Sequence, residues 1–124
     1  MMLNSKDPIR KKLAVFVSGS GTNLQAIMDA CDSGELFATV SLVVADNNGC
    51  YALERAAKGQ IATLIHDRKQ LRAMEPVEKK AAYEALSHRL VEEGIDLIVL
   101  AGYLSIIDQS LVDAFPKRII NLHP

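Results

Sequence analysis

Leu13-Ala14-Val15-Phe16-Val17-Ser18-Gly19-Ser20-Gly21-Thr22-Asn23-Leu24 couples a short apolar run to a glycine-bearing turn and a polar helix start. Leu13 to Val17 is continuous and partly β-branched or aromatic, the pattern of a strand buried on both faces. Beyond the turn, Leu24, Ile27, Met28 and Cys31 fall at i, i+3, i+4 and i+7, one apolar stripe of a helix that Gly34 can close in a left-handed conformation. Working outward, the same cassette recurs. Val40 to Ala45 reads as a second strand and Asp46-Asn47-Asn48-Gly49 as a turn. Ala52, Leu53, Ala56 and Ala57 mark a short helix ended by Gly59, and Ile61 to Ile65 a third strand. His66 to Pro76 is a long polar connection into a helix with Tyr83, Leu86 and Leu90 on its buried line and Gly94 as its stop. Ile95 to Ala101 is the fourth strand, and Gly102 turns the chain. Asp108 or Ser110 can cap a helix bearing Leu111, Val112 and Phe115, Pro116 forbids its extension, and Ile119-Ile120-Asn121 opens a fifth strand. Strict alternation of apolar strands with amphipathic helices predicts a three-layer αβα, doubly wound, mainly parallel α/β fold of Rossmann-like type. Upstream, residues 1–11 are polar and carry Pro8, so they are expected to form an N-terminal arm before a structured part at 12–124.

Composition bounds the function. The 124 residues are 49% hydrophobic and 23% charged, enough apolar material for one core and against intrinsic disorder. Fourteen Lys+Arg against fifteen Asp+Glu leave a net charge of −1, so bulk attraction to nucleic acid or anionic lipid is not expected and any anion site must be local. The apolar stretch after Arg10-Lys11-Lys12 is too short for a signal-peptide core, and no run approaches the roughly 18 residues of a spanning helix. A cytoplasmic location is expected. Cys31 and Cys50 lack CxxC spacing and fit buried small hydrophobes in a reducing compartment. No His, Cys, Asp or Glu cluster has the spacing of a metal site.

In an open parallel sheet ligands bind beyond the carboxyl ends of the strands, and here those ends collect the polar side chains. Gly19 and Gly21 let the backbone turn tightly, while Thr22 and Asn23 begin a helix whose free N–H groups and positive dipole end attract an anion such as phosphate. The alternative is a plain turn with a Thr or Asn cap. Neither the dinucleotide fingerprint nor the P-loop is matched, since Leu24 takes the third glycine position and no Gly-Lys-Ser/Thr follows. At the fifth strand, Asn121 and His123 lie two apart and point to one side, with Leu122 packing the other way. An amide donor beside a titratable imidazole suits oxyanion stabilisation and proton movement at a carbonyl carbon. A cap and a satisfied histidine are the alternative. His66 with Asp67 reads as an exposed loop pair, with reach into the cleft as the alternative, and His88 as solvated surface; Lys79-Lys80 reads as a solvated helix start, with Lys80 facing an anionic ligand as the alternative.

Ser18-Gly19-Ser20-Gly21-Thr22-Asn23-Leu24-Gln25-Ala26-Ile27, Val99-Leu100-Ala101-Gly102-Tyr103-Leu104 and Ile119-Ile120-Asn121-Leu122-His123-Pro124 together resemble the phosphoribosylglycinamide formyltransferase family, over about Lys12 to Pro124. The resemblance implies the formyltransferase version of the Rossmann-like fold. It implies transfer of a formyl group from 10-formyltetrahydrofolate, a co-substrate, to the amine of glycinamide ribonucleotide, in purine synthesis and without a metal. It further implies that Gly21, Thr22 and Asn23 bind the ribonucleotide phosphate. Lys80, Leu104, Ser105, Ile106, Ile107 and Asn121 are implied to contact the folate, and Asn121 and His123 to be catalytic. Ser105 stands where the family commonly has arginine. Family members are longer, and the part beyond Pro124 is expected to carry a Ser-Leu-Leu-Pro continuation and the aspartate that orients the histidine, so the chain reads as the N-terminal part of the enzyme. Two other readings stand beside this one: a formyltetrahydrofolate deformylase, and a non-catalytic nucleotide-phosphate-binding module should the chain end at Pro124. A homodimer is left open.

Overall fold

A computed structural model describes residues 10–122, and of the expected N-terminal arm residues 1–9 lie outside the described residues. The elements run β1 (Lys11–Val17), α1 (Thr22–Ser33), β2 (Ala38–Ala45), α2 (Ala52–Lys58), β3 (Ala62–Ile65), α3 (Arg68–Ala73), α4 (Pro76–Glu92), β4 (Leu97–Ala101), α5 (Gln109–Ala114) and β5 (Ile119–Leu122). The five strands form one parallel sheet in the order β3-β2-β1-β4-β5. This is the doubly wound arrangement expected from the alternation of strand and helix.

The central strands β1, β2 and β4 serve two cores. Leu13, Val15 and Val17 of β1 pack with Leu24, Met28 and Cys31 of α1 and Ala52 and Ala56 of α2 on one face. Ala14 and Phe16 pack with Leu86 and Leu90 of α4 and Leu111 and Phe115 of α5 on the other. A strand flanked by two apolar layers has no solvent face, which is why its sequence shows no polar alternation. In β2 the parity changes part-way. Ala38 and Val40 face the first core, and so do Val43 and Ala45, while Leu42 and Val44 face the second. The pairing with β1 explains it: Leu13 lies opposite Val40 but Ala14 opposite Leu42, so Ser41 is an extra residue that flips the phase of the strand.

Several boundaries differ from the sequence reading: β2 begins at Ala38 rather than Val40, β3 at Ala62 rather than Ile61 and β4 at Leu97 rather than Ile95. β1 begins at Lys11 because Lys11 and Lys12 pair with Ala38 and Thr39 through their backbones, which polar side chains do not prevent, so Lys11 belongs to the sheet. The connection from His66 to Pro76 contains α3, whose Asp67 side chain accepts from the Gln70 N–H at 2.9 Å. Six residues with one buried side chain, Leu71, present no apolar period to read, so the cap alone marks the helix. Gly34 and Gly94 both take positive φ after α1 and α4, as expected of helix stops. Cys31 and Cys50 are buried and free. Among the described residues, no helix is long and apolar enough to cross a membrane.

Candidate active site

In this strand order β1 and β4 are neighbours whose following helices lie on opposite faces, so the chain parts at their carboxyl ends and leaves a crevice. The loop Ser18 to Gly21 leaves β1 there. Gly21, at φ 78 and ψ 25, is the N-cap of α1 and has no side chain to cap it, and among the described residues no side chain accepts from its first N–H groups. Thr22 is exposed and Asn23 half-buried at that helix start. The loop is braced from behind by α2: the Ala52 N–H donates to the Gly19 carbonyl at 3.1 Å, and Arg55 Nε to the Ser20 carbonyl at 2.7 Å. Arg55 also reaches Gln25 Oε1 at 3.4 Å and lies over the Tyr51 ring, 5.0 Å from its centroid. A helix start with open amides and a cation alongside can hold an anion. Arg55 was not legible as part of this loop, since it sits 35 residues from Ser20 and only packing brings them together.

At the end of β2, Asp46 is buried at 1% exposure. Its Oδ1 accepts from Asn47 Nδ2 at 3.0 Å and its Oδ2 from the Ser105 hydroxyl at 2.6 Å, with Arg68 Nη1 at 3.8 Å. Asn47 Nδ2 also donates to the Ser18 carbonyl at 3.0 Å. From the end of β4, the Leu104 N–H donates to the Ser18 hydroxyl at 2.8 Å. The Tyr103 ring meets Phe16 edge-on at 5.2 Å, and burial, reinforced by the Asp46 carboxylate, pushes its phenol well above its usual range. From sequence Asp46 reads as turn chemistry at a strand end, and nothing in its spacing distinguishes a buried carboxylate from a surface one.

The residues implied to meet folate divide. Leu104, Ser105 and Ile106 line a groove of about 280 Å³ with Arg68, Leu71, Arg72, Lys79 and Tyr83. Ile107 instead packs against the second core. Lys80 is exposed and lines the adjoining groove with Asp108, whose carboxyl is held below its usual value by hydrogen bonds from Ser110 and, more weakly, by Lys80. The cations beside Leu104 to Ile106 are therefore Arg68, Arg72 and Lys79 rather than Lys80. Asn121 lies opposite Leu100 on β5 and is exposed; Ile119 on its face packs on the second core, while Leu122 packs on the first, as the spacing predicts. His123 lies outside the described residues. His66 is not the exposed loop residue expected: its ring packs edge-on against Tyr83 at 5.1 Å and its Nε2 is buried without a partner. Burial lowers its pKa, since the charged form is the one desolvation disfavours. Asp67 beside it is spent on the α3 cap. His88 is exposed, as read.

This edge can be set beside known proteins. The chain is 40% identical over 121 residues to the chloroplastic phosphoribosylglycinamide formyltransferase of Arabidopsis thaliana, covering 98% of this chain and 40% of that protein. It is 38% identical over 114 residues to the phosphoribosylglycinamide formyltransferase of Haemophilus influenzae, covering 92% of this chain and 51% of that one. Glycinamide ribonucleotide transformylase 1 of Symbiobacterium toebii superposes with a TM-score of 0.84 at 36% identity, over 99% of this chain and 56% of that structure. The corresponding transformylase of Geobacillus kaustophilus gives 0.81 at 42% identity, over 93% and 58%. The chain thus spans about half the length of the relatives it matches. The family model described as formyl transferase matches residues 11–124, nearly the whole sequence and every loop of the crevice, and the chain belongs to the formyl transferase family.

Proposed function

We propose that this chain forms part of an enzyme that transfers a formyl group from 10-formyltetrahydrofolate to the amine of glycinamide ribonucleotide, a step of purine synthesis. The observation that carries this reading is the meeting, at one sheet edge, of an open helix start after β1 and an apolar, cation-flanked groove after β4, in a chain of this family. The amides of Gly21, Thr22 and Asn23 would hold the ribonucleotide phosphate, a handle remote from the reacting atoms that orients the amine. Leu104, Ser105, Ile106 and Ile107, with Asn121 and a cation of α4, either Lys80 or its neighbour Lys79, would meet the folate.

In the reaction the amine attacks the formyl carbon, a tetrahedral oxyanion forms, and the bond from that carbon to the folate nitrogen breaks as the nitrogen takes up a proton in place of the one the attacking amine gives up. Asn121 donates a hydrogen bond to the developing oxyanion. His123 in its protonated form shares that charge and moves the proton. The products are the formylated ribonucleotide and tetrahydrofolate, so charge and atoms balance without a metal or an oxidant. Two buried, free cysteines support a reducing compartment, and we assign the activity to the cytoplasm on that ground.

The test is formyl transfer by the purified full-length protein, followed by formation of tetrahydrofolate with and without the ribonucleotide. Transfer that needs the amine supports the reading, and formate release without it would identify a deformylase instead. His123→Ala is expected to lower kcat on the order of 10²-fold or more with little change in the nucleotide KM, because its interaction is with charge present only in the transition state. An unchanged kcat would remove His123 from the mechanism. Inorganic phosphate titrated against the protein should shift the amide resonances of Gly21, Thr22 and Asn23; an unresponsive loop would count against its assignment.

A further inference from the structure

We propose that Asp46 and Ser18 are positioning residues for the segment Leu104–Ile107, and that through them the loop after β1 and the segment after β4 are held as one unit. The proposal rests on the reading above that this segment meets the folate. Leu104 and Ile106 are 73% and 84% exposed, so their side chains do not anchor the segment to the protein. Its middle is held by polar bonds instead. The Leu104 N–H donates to the Ser18 hydroxyl at 2.8 Å, and the Ser105 hydroxyl donates to Asp46 at 2.6 Å.

Asp46 has no solvent to turn to, and a buried carboxylate persists only when its oxygens are satisfied. Both are: one by Asn47 and one by Ser105, with the Arg68 guanidinium at 3.8 Å. Asn47 closes the circuit by donating to the Ser18 carbonyl at 3.0 Å. Ser18 is thus tied through its carbonyl to the end of β2 and through its hydroxyl to the segment after β4. A ligand lying on Leu104 and Ile106 is placed by groups it does not touch, and a misplacement near 1 Å can already cost about 10²-fold in a positioned reaction.

Ser105→Ala in the full-length protein should raise the KM for 10-formyltetrahydrofolate about tenfold while the nucleotide KM stays within about twofold, the scale of one hydrogen bond to a charged group. Ser105→Thr, which keeps the hydroxyl, should restore most of it. Asp46→Ala should raise the same KM, and the double variant should be no worse than the worse single, because both break one interaction. Additive effects would mean that the Ser105 hydroxyl acts on the ligand and not through Asp46, and would overturn the proposal, as would an unchanged folate KM in Ser105→Ala. Should Asp46→Ala fail to fold, Asp46→Asn and the two Ser105 variants carry the test. Amide hydrogen exchange over residues 104–107 gives a readout independent of turnover: exchange should quicken there in Ser105→Ala and stay unchanged in α4. Unchanged exchange overturns the clamp whatever the activity, whereas failure of the parent protein to transfer formyl overturns the functional reading.

Discussion

Replacing Gly21 by alanine puts two separable penalties on one position. Gly21 has φ 78, where an L-residue is disfavoured by about 1–2 kcal/mol. An added Cβ would also stand 2.7 Å from Ala52 Cβ and 2.8 Å from Ala52 Cα. The Cα is main chain and cannot rotate away, so the loop or α2 must move, and overpacking of this kind costs about 1–3 kcal/mol. Together the loss should be about 2–5 kcal/mol, against a total stability of about 5–15 kcal/mol for a domain. Two other glycines separate the terms. Gly102 has φ 72 but nothing within 4 Å of its built Cβ, so Gly102→Ala should show only the conformational part, and Gly19, with neither feature, should be nearly neutral. Urea unfolding followed by circular dichroism, with slopes compared as well as midpoints, measures all three. Adding Ala52→Gly to the Gly21→Ala protein removes the closer contact but not the Cα one, and should recover part of the loss. A Gly21→Ala protein no less stable than Gly102→Ala would refute the reasoning, because it would mean that the loop and α2 are not locked together.

The remaining expectations concern the residues around that loop and along the same edge. Arg55→Gln should weaken binding of inorganic phosphate to the loop by about tenfold, the scale of a charged hydrogen bond, and calorimetric titration showing equal affinity would remove Arg55 from its support. Asp67→Ala should destabilise α3 by about 1 kcal/mol through loss of its cap, read as faster amide exchange over Arg68–Ala73 with the sheet unaffected. Burial holds the His66 pKa below 6.5, so the unfolded chain takes up the proton first as pH falls. The stabilising contribution of the neutral ring is present above about pH 6.5 and is lost below it, down to the folded pKa. His66→Phe keeps a ring against Tyr83 and should lessen the fall in stability between about pH 7.5 and about pH 5.5; an identical fall would show that folding leaves the His66 pKa unchanged.

Local pattern carried the fold. The apolar runs at Leu13–Val17, Val40–Ala45 and Ile95–Ala101 can satisfy water only by hiding both faces, and the stripe Leu24, Ile27, Met28 and Cys31 can cover one of them, so a two-sided parallel sheet follows from spacing alone. Glycines after α1 and α4 and Asp108 before α5 announced their ends by backbone and capping chemistry, which is local as well. The loop Ser18 to Asn23 could be picked out as a candidate anion site for the same reason, because a helix start and its glycines are neighbours in the chain.

Tertiary structure alone decided what depends on residues far apart in sequence. The extra Ser41 is invisible until β1 lies beside β2, since register belongs to a pair of strands. That His66 is buried against Tyr83, that Lys79 and not Lys80 shares the groove of Leu104 to Ile106, and that Arg55 braces the Ser20 carbonyl all follow from how helices settle on the sheet. Asp46 is the clearest case. Its sequence neighbours are those of any polar turn, and it becomes a buried anchor because β4 runs beside β1 and delivers Ser105, 59 residues away, within 2.6 Å. Spacing along one segment determines which way side chains point; which side chains they meet is set by strand order, and no single segment contains that.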